Sequence, residues 1–496
     1  MVKDRLAFSI NHEANTSFWG AFINLLCDRF ASACGVHQIM VSSLILIFFF
    51  PVTGYSALPG NTEAAEKEET PAQLSVGVAK MDITPDTAVL DWVTGRPYGE
   101  VHDPLFVRAL VLGDGESKVV IVSWDLVDAG ESATEEVRNE ISSELGVPAN
   151  QILVNATHNH SAPWSPVYNE DYRGKEQDTW WAVRYMPPQN DQPEYRKWMD
   201  HLIDQTVEAA RQAESSSQSA TLWIGRADVS EYLLNRRPTH PEWGIEESNA
   251  PEGFNYFHEE WDPNVLLGGA KFGPMDRAMT LLSFRDKAGV NIASVFHLSA
   301  HAVSIYPFME GISSDWPGVA TKRISESLGG EAIFLQGAAG DITPWKRGRE
   351  AVEEMGAGLA EKASVVDQYS ARLESGTLKA ASGIVGLPLD PIGKERTGLD
   401  AINAEVQVIT YGSLALVTLP GEPLTDLGTA IRKQSPFPQT LVLGYSNGNG
   451  VHYVGMPGEK ARGGYEMEAG TVGTDEAGQK LVELAVELLN EISEAD

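Results

Sequence analysis

From Leu74 onward, short apolar runs recur along the chain, and each ends in polar or Gly/Pro punctuation. They are "VVIVSWD" closing at Asp125, "ILVNATHNH" at His160, "ASVFHLSAH" at His301, "AIFLQGAAGD" at Asp341, "LALVTLPGE" at Glu422 and "TLVLGYSN" at Asn447. Segments of helical spacing stand between and after them. "ESATEEVRNEISSELG" separates the first two runs and stops at Gly146, while "EYRKWMDHLIDQTVEAARQA" puts Trp198, Leu202, Ile203 and Val207 on one face. "EAGQKLVELAVELLNEIS" is a further amphipathic helix. Strand, helix, strand order requires crossovers and hence some parallel pairing. The pattern therefore predicts an α/β fold, a mixed β-sheet with flanking helices.

Three stretches break the pattern. "IMVSSLILIFFFPVTGYSA" has an apolar centre from about Val41 to Val52, short for a bilayer span, followed by small residues at Ser56 and Ala57. Residues 1–57 read as a signal peptide region, with Met40 an alternative start and a signal anchor the rival; the expectation is export, to a periplasm or beyond the cell. Residues 58–73 are polar and acidic and read as a linker, which leaves 74–496 for the folded domain. Within that domain, about 166–193 and 238–264 are rich in Trp, Tyr, Pro and charge without periodicity. They are long surface loops or the roof of a site.

Composition narrows the partners. With 43% hydrophobic and 21% charged residues the chain is globular, and 69 Asp+Glu against 37 Lys+Arg give a net charge of -32. A field of that sign argues against nucleic acid. The sole cysteines, Cys27 and Cys34, precede the apolar segment, so a processed chain has neither a disulfide nor a thiolate to offer.

In open α/β sheets ligands gather beyond the carboxyl ends of strands, and the unusual polar residues fall there. His158 and His160 are two of only 11 histidines. In an extended segment they would face one side, about 6.5–7 Å apart, flanking a metal or a substrate. Without cysteine, a zinc site needs imidazole or carboxylate ligands. His301 lies at the polar end of its strand, whereas His297 reads as core. Glu422, ahead of a helix, either caps that helix or binds metal. Asp341 and Thr343, after Gly-Ala-Ala-Gly, form a strand-to-loop turn or place a carboxylate and a hydroxyl beside a ligand. The "HEE" at His258 lacks the second histidine of a zincin helix.

Taken in order, these segments resemble the catalytic domain of the neutral/alkaline (non-lysosomal) ceramidases. The resemblance rests on "VGVAKMDITP", "HDPLFVRALVL", "VVIVSWDLV", "ATHNHSAP" against the family's Thr-His-Thr-His-Ser-Gly-Pro, and "NRRP" against Asn-Arg-Ser-Pro. It continues through "DRAMTLLSF", "SAHAVS", "SSDWPG", "GDITP" against Gly-Asp-x-Ser-Pro-Asn, "PGEPLTD", "HYVG" and "GYEMEAGT". It implies an enzyme that uses a zinc-activated water to hydrolyse the amide of ceramide or a related N-acyl lipid. It also implies His158, His301, Glu422 and Tyr453 as zinc ligands and His160 on the substrate side. Arg236 and Tyr465 would support the transition state, and Thr343 stands where the family has a functional serine. The substrate implies contact with a membrane surface; the oligomeric state is left open. Departures are Thr343 for that serine, Trp345 for the following asparagine, and Ala162 and Trp164 for small residues after the histidine pair. The likeness is to the catalytic domain alone, without the family's C-terminal β-sandwich.

Overall fold

Strands β1 (Ser75–Asp82), β2 (Phe106–Gly113), β3 (Lys118–Trp124), β4 (Ile152–Ala156) and β5 (Gln218–Ser219) build the first sheet, in the order β4-β3-β2-β1-β5. This computed structural model describes residues 74–169, 191–237, 275–306 and 310–494. Residues 1–57, expected to be a signal region, residues 58–73, expected to be a linker, most of 166–193 and all of 238–264 lie outside the described residues. β3 and β4 pair in parallel through the crossover helix α1 (Glu131–Leu145). That helix ends where the sequence predicts, at Gly146, whose φ of 66° is the left-handed cap that glycine adopts without a Cβ clash. Helix α2 (Pro193–Ser215) buries Trp198, Leu202, Ala209 and Ala213 in the core beside Val107 and Val111 of β2, with Ile203 and Val207 half-buried at its margin.

The second sheet takes β6 (Thr221–Asp228), then, after the short β7 (Leu233–Asn235), β8 (Ala278–Arg285), β9 (Asn291–Leu298) and β10 (Glu331–Gln336). β11 (Ile342–Pro344) pairs with β7, and β12 (Ala371–Arg372) closes the sheet order β10-β9-β8-β6-β12. β9 and β10 are parallel, joined through α3 (Asp315–Leu328), and α4 (Arg349–Gln368) adds Met355, Leu359 and Ala363 to the same core as Trp316 and Ile324 of α3. In the third sheet β13 (Leu378–Pro388), β14 (Ala401–Tyr411), β15 (Leu414–Thr418) and β17 (Gln439–Leu443) follow one another, with the short α5 (Pro391–Thr397) between the first two. β15 and β17 are parallel through α6 (Thr425–Gln434), while the two-residue β16 (Glu422–Pro423) pairs with β18 (Tyr453–Val454). After α7 (Tyr465–Glu468), helix α8 (Ala477–Glu494) lays Leu481, Ala485, Leu488 and Leu489 against Val406, Val408 and Val417. The mixed α/β class and flanking helices are those the hydrophobic pattern predicts. Among the described residues no helix is long and apolar enough to cross a membrane.

The three sheets share one apolar core, to which Ile121 and Leu153, Val295 and Leu335, and Leu416 and Leu441 contribute. A buried polar clamp fixes their carboxyl ends. Asn155 Nδ2 donates to Gly444 O at 2.8 Å and Ser446 Oγ at 2.9 Å, and its Oδ1 accepts from Gln336 N at 2.9 Å. Gln336 Nε2 in turn donates to Thr157 O and Ala300 O at 3.0 and 2.7 Å. The amide groups of Asn155 and Gln336 are paired at both nitrogen and oxygen, so the two side chains fix the strand ends without an orphan of their own. The outcome is that β4, β9, β10, β15 and β17 all deliver their following loops to one place.

Candidate metal centre

Each loop delivers its side chain by a local backbone device. Beyond β4 the chain does not stay extended: His158 takes φ 58°, a left-handed conformation uncommon outside glycine. This turn, rather than strand alternation, sets the relation of His158 to His160, whose rings meet edge-to-face with centroids 4.6 Å apart. Asn159 is anchored by its N–H to Leu126 O at 3.0 Å. His301 follows β9, with its carbonyl held by Trp316 Nε1 at 2.9 Å. His297 stays inside that strand as the sequence suggested, its Nε2 on Val442 O at 3.0 Å and burial pushing its pKa down. Glu422 follows Gly421, whose φ of 67° and lack of a Cβ let the loop pass against the His452 carbonyl, 2.3 Å from where a Cβ would stand. The start of α6 is capped instead by Asp341, which accepts from Thr425 N at 2.8 Å.

The side chains then converge on one carboxylate. Glu422 Oε2 lies 3.1 Å from His158 Nε2 and 3.2 Å from His301 Nε2, and Glu422 Oε1 lies 3.4 Å from His452 Nδ1. His160 Nε2 is 3.0 Å from His158 Nε2, and Tyr453 Oη is 3.5 Å from His301 Nε2. Tyr445 stacks on His158 at 4.1 Å between centroids and donates its hydroxyl to Glu422 Oε2 at 3.4 Å.

Behind the rings, His158 Nδ1 faces Val127 O at 2.7 Å, and His301 Nδ1 faces Ala339 O at 2.8 Å and Ile342 O at 3.0 Å. A carbonyl only accepts, so these Nδ1 atoms carry the hydrogens and the neutral tautomer presents bare Nε2 lone pairs to the carboxylate. Burial, aided by the Arg236 charge, pushes His301 down to about 3, so it is neutral near pH 7. Burial alone would raise the Glu422 carboxyl, but its contacts with the His158, His452 and His301 imidazoles outweigh that and hold Glu422 well below its usual range. Lone pairs of two imidazoles and an ionised carboxylate oxygen within about 3 Å repel one another unless a cation sits between them.

The residues present fit such an ion. Imidazole and carboxylate are the ligands of a thiolate-free zinc-type site, and a ring whose other N–H is held by a carbonyl is the usual orientation of a metal-bound histidine. The Nε2-bearing rings of His158, His160 and His301 offer ligand atoms all within 4.8 Å of one another. Of the four ligands implied by sequence, His158, His301 and Glu422 meet directly. Tyr453 reaches the centre through its hydroxyl, which burial keeps protonated. His160, expected on the substrate side, lies as near to His158 as Glu422 does.

The supporting residues form two groups. Arg236 Nη2 donates to Gly340 O at 2.7 Å and to Tyr453 Oη at 2.8 Å, and its Nε pairs with Glu466 Oε1 at 2.7 Å. Glu466 Oε2 also takes Arg237 at 3.0 Å, so one buried carboxylate aligns two arginines. Tyr465 sits outside this enclosure: it is 45% exposed, with its ring edge-on to Tyr453 at 5.8 Å, at the rim and not among the buried groups. Thr343 is buried in β11, where its Oγ1 accepts from Arg347 Nη2 at 2.7 Å. Sequence reasoning missed Tyr445, His452 and Glu466. His452 was in view, next to Tyr453 in "HYVG", yet its importance depends on a φ of 70° that no residue pattern announces.

Fold and site together define a mixed α/β protein with a buried histidine–carboxylate centre suited to one divalent metal. A family model described as neutral/alkaline non-lysosomal ceramidase, N-terminal, matches residues 75–377. The chain belongs to that family. Neutral ceramidase A of Dictyostelium discoideum is 23% identical over 291 residues, 55% of this chain but only 36% of that protein's length. Two solved structures share the fold. The neutral ceramidase from Pseudomonas aeruginosa has a TM-score of 0.64 at 18% identity, covering 85% of this chain and 75% of that one. A ceramidase complexed with C2 has 0.65 at 17%, covering 85% and 76%. The family match spans His158, His160, Arg236, His301 and Thr343 and ends before Glu422, Tyr453 and Tyr465.

Proposed function

We propose that the chain is an exported, zinc-dependent amidohydrolase that opens the N-acyl amide of ceramide or a related lipid, releasing a long-chain amine and a fatty acid. The observation that carries this is the meeting of His158 and His301 Nε2 at one Glu422 oxygen, both rings locked by their Nδ1–H groups. Family membership supplies the reaction class, and the apolar segment before residue 58 supports export.

When bound, zinc supplies Lewis acidity, polarising the scissile carbonyl and bringing water toward ionisation near neutral pH. The chain does the rest. Arg236 donates to Tyr453 Oη, which leaves the phenol's own O–H to donate on the His301 side, where oxyanion charge would gather. Glu466 holds Arg236 in place by its Nε. His160 Nε2 adjoins His158 and gives a second imidazole for proton movement beside the bond being cut. Tyr465 at the rim is placed to contact substrate as it enters, and Thr343 with Arg347 backs the loop below His301. Trp164 favours a second reading, the same chemistry on a smaller amide or ester, since it sets a buried indole where the family's motif has a small residue. Assay of purified protein against ceramide and against simple acyl amides and esters, with and without chelator, separates the two. Turnover that survives chelation contradicts both.

A further inference from the structure

On one side of this centre, the indole nitrogens of Trp92 and Trp164 and Nδ1 of His160 are buried and lack a hydrogen-bond partner among the described residues. They belong to one aromatic cluster. The Trp92 ring stands edge-on to His160 and to Trp164, each with centroids 5.4 Å apart. Tyr306 stacks on Trp92 at 6.1 Å and tilts over His160 at 5.1 Å, while Trp164 reaches round to within 6.4 Å of the His452 ring. The wall so formed spans the centre from His160 to His452.

These groups are not loosely placed. Trp92 is 7% exposed and Trp164 3%. The turn carrying Trp92 is pinned by Asp91 Oδ1, which accepts from Val93 N and Thr94 N at 2.7 and 3.0 Å. The Trp164 carbonyl accepts from Tyr195 Oη at 2.6 Å, and Ser165 N donates to Asp128 Oδ1 at 2.7 Å. A buried donor without an acceptor is destabilising, and an aromatic side chain with no N–H would avoid that cost. Two indole N–H groups held this way beside a reacting centre call for oxygen acceptors on the ligand. A hydroxyl meets the need, because it accepts from an indole N–H while its own hydrogen can go to an imidazole nitrogen such as His160 Nδ1. An alkyl chain on this side would leave all three atoms unpaired.

We propose that Trp92 and Trp164 form a head-group subsite whose indole N–H groups donate to substrate hydroxyls. The enzyme then selects N-acyl amino alcohols with free hydroxyls next to the amide over amides of plain alkylamines. This rests on the amidohydrolase reading for its kinetic consequence but not for the binding itself.

The test compares a short-chain N-acyl amide of a 2-amino-1,3-diol with the matched amide lacking both hydroxyls, on wild type, Trp92→Phe and Trp164→Phe. Phenylalanine keeps an aromatic ring and removes the donor; the space left by the smaller ring bears on both amides, so the ratio between them reads the lost N–H. Wild type should favour the diol amide, and each variant should shrink the ratio of the two kcat/KM values by about 3–10-fold, the worth of one neutral hydrogen bond. Equal losses on both amides, or an unchanged ratio, would overturn the proposal and leave the hydrolase reading intact. Calorimetric titration of zinc-free protein with the same diol amide reads the subsite without turnover. If neither amide is hydrolysed, binding weakened about 3–10-fold in each variant keeps the subsite while the hydrolase reading falls. Binding of equal strength in all three proteins, or none in wild type, removes the subsite.

Discussion

At the scale of single residues, the centre depends on charge and on rotation. Both Nε2 atoms face the Glu422 carboxylate, so Glu422→Gln, of nearly equal shape, should weaken metal binding at least about 10-fold, as measured by competition with a chromogenic chelator. Glu466 acts one step away by fixing Arg236. Glu466→Gln should therefore lower kcat by about 10–100-fold with zinc content unchanged, and parallel loss of zinc would assign it to the fold instead. His158, His301 and Glu422 were legible in the sequence because each follows an apolar run directly. Tyr445 and His452 were not, since what brings them in is backbone at positive φ, 49° and 70°, which depends on packing between loops distant in sequence.

Secondary-structure elements tell a similar story. The six apolar runs that stand out in the sequence are β3, β4, β9, β10, β15 and β17, the members of three parallel pairs; the fourth, β16 with β18, has only two residues per strand. Parallel strands covered on both faces read as unbroken apolar stretches, and for that reason they were visible. β13, by contrast, alternates half-buried and exposed residues along "LKAASGIVGLP" and pairs antiparallel with β14, so it gave no such run. What sequence could not show is how the parallel pairs are held together at their carboxyl ends. Asn155 does this. Asn155→Ala would take the side-chain acceptor from Gln336 N and one of two donors from Gly444 O, which keeps Ser446 Oγ, and should cost about 1–3 kcal/mol of stability by chemical denaturation. A loss within the range of an ordinary surface substitution would show that the clamp is dispensable.

For the whole molecule, metal binding and fold should be linked, because the candidate ligands follow β4, β9 and β15, one strand from each of the three larger sheets, with Glu422 opening β16. An ion that binds the folded state at about 1,000 times its Kd adds roughly 4 kcal/mol. Removing it with a chelator should lower the Tm by several degrees, and added zinc should restore it; an unchanged Tm would mean that protons alone reconcile the facing nitrogens and carboxylate. The net charge of -32 adds nothing to this centre and bears on solubility.

The central claim is that the His158–His301–Glu422 cluster holds a catalytic metal. The most direct measurement is elemental analysis of the purified protein paired with a ceramide-hydrolysis assay, for wild type and His158→Ala. The account predicts about one zinc per chain and hydrolysis in wild type, with both lost in the variant. Zinc retained at full occupancy after the substitution, or hydrolysis by protein stripped of metal, would contradict it.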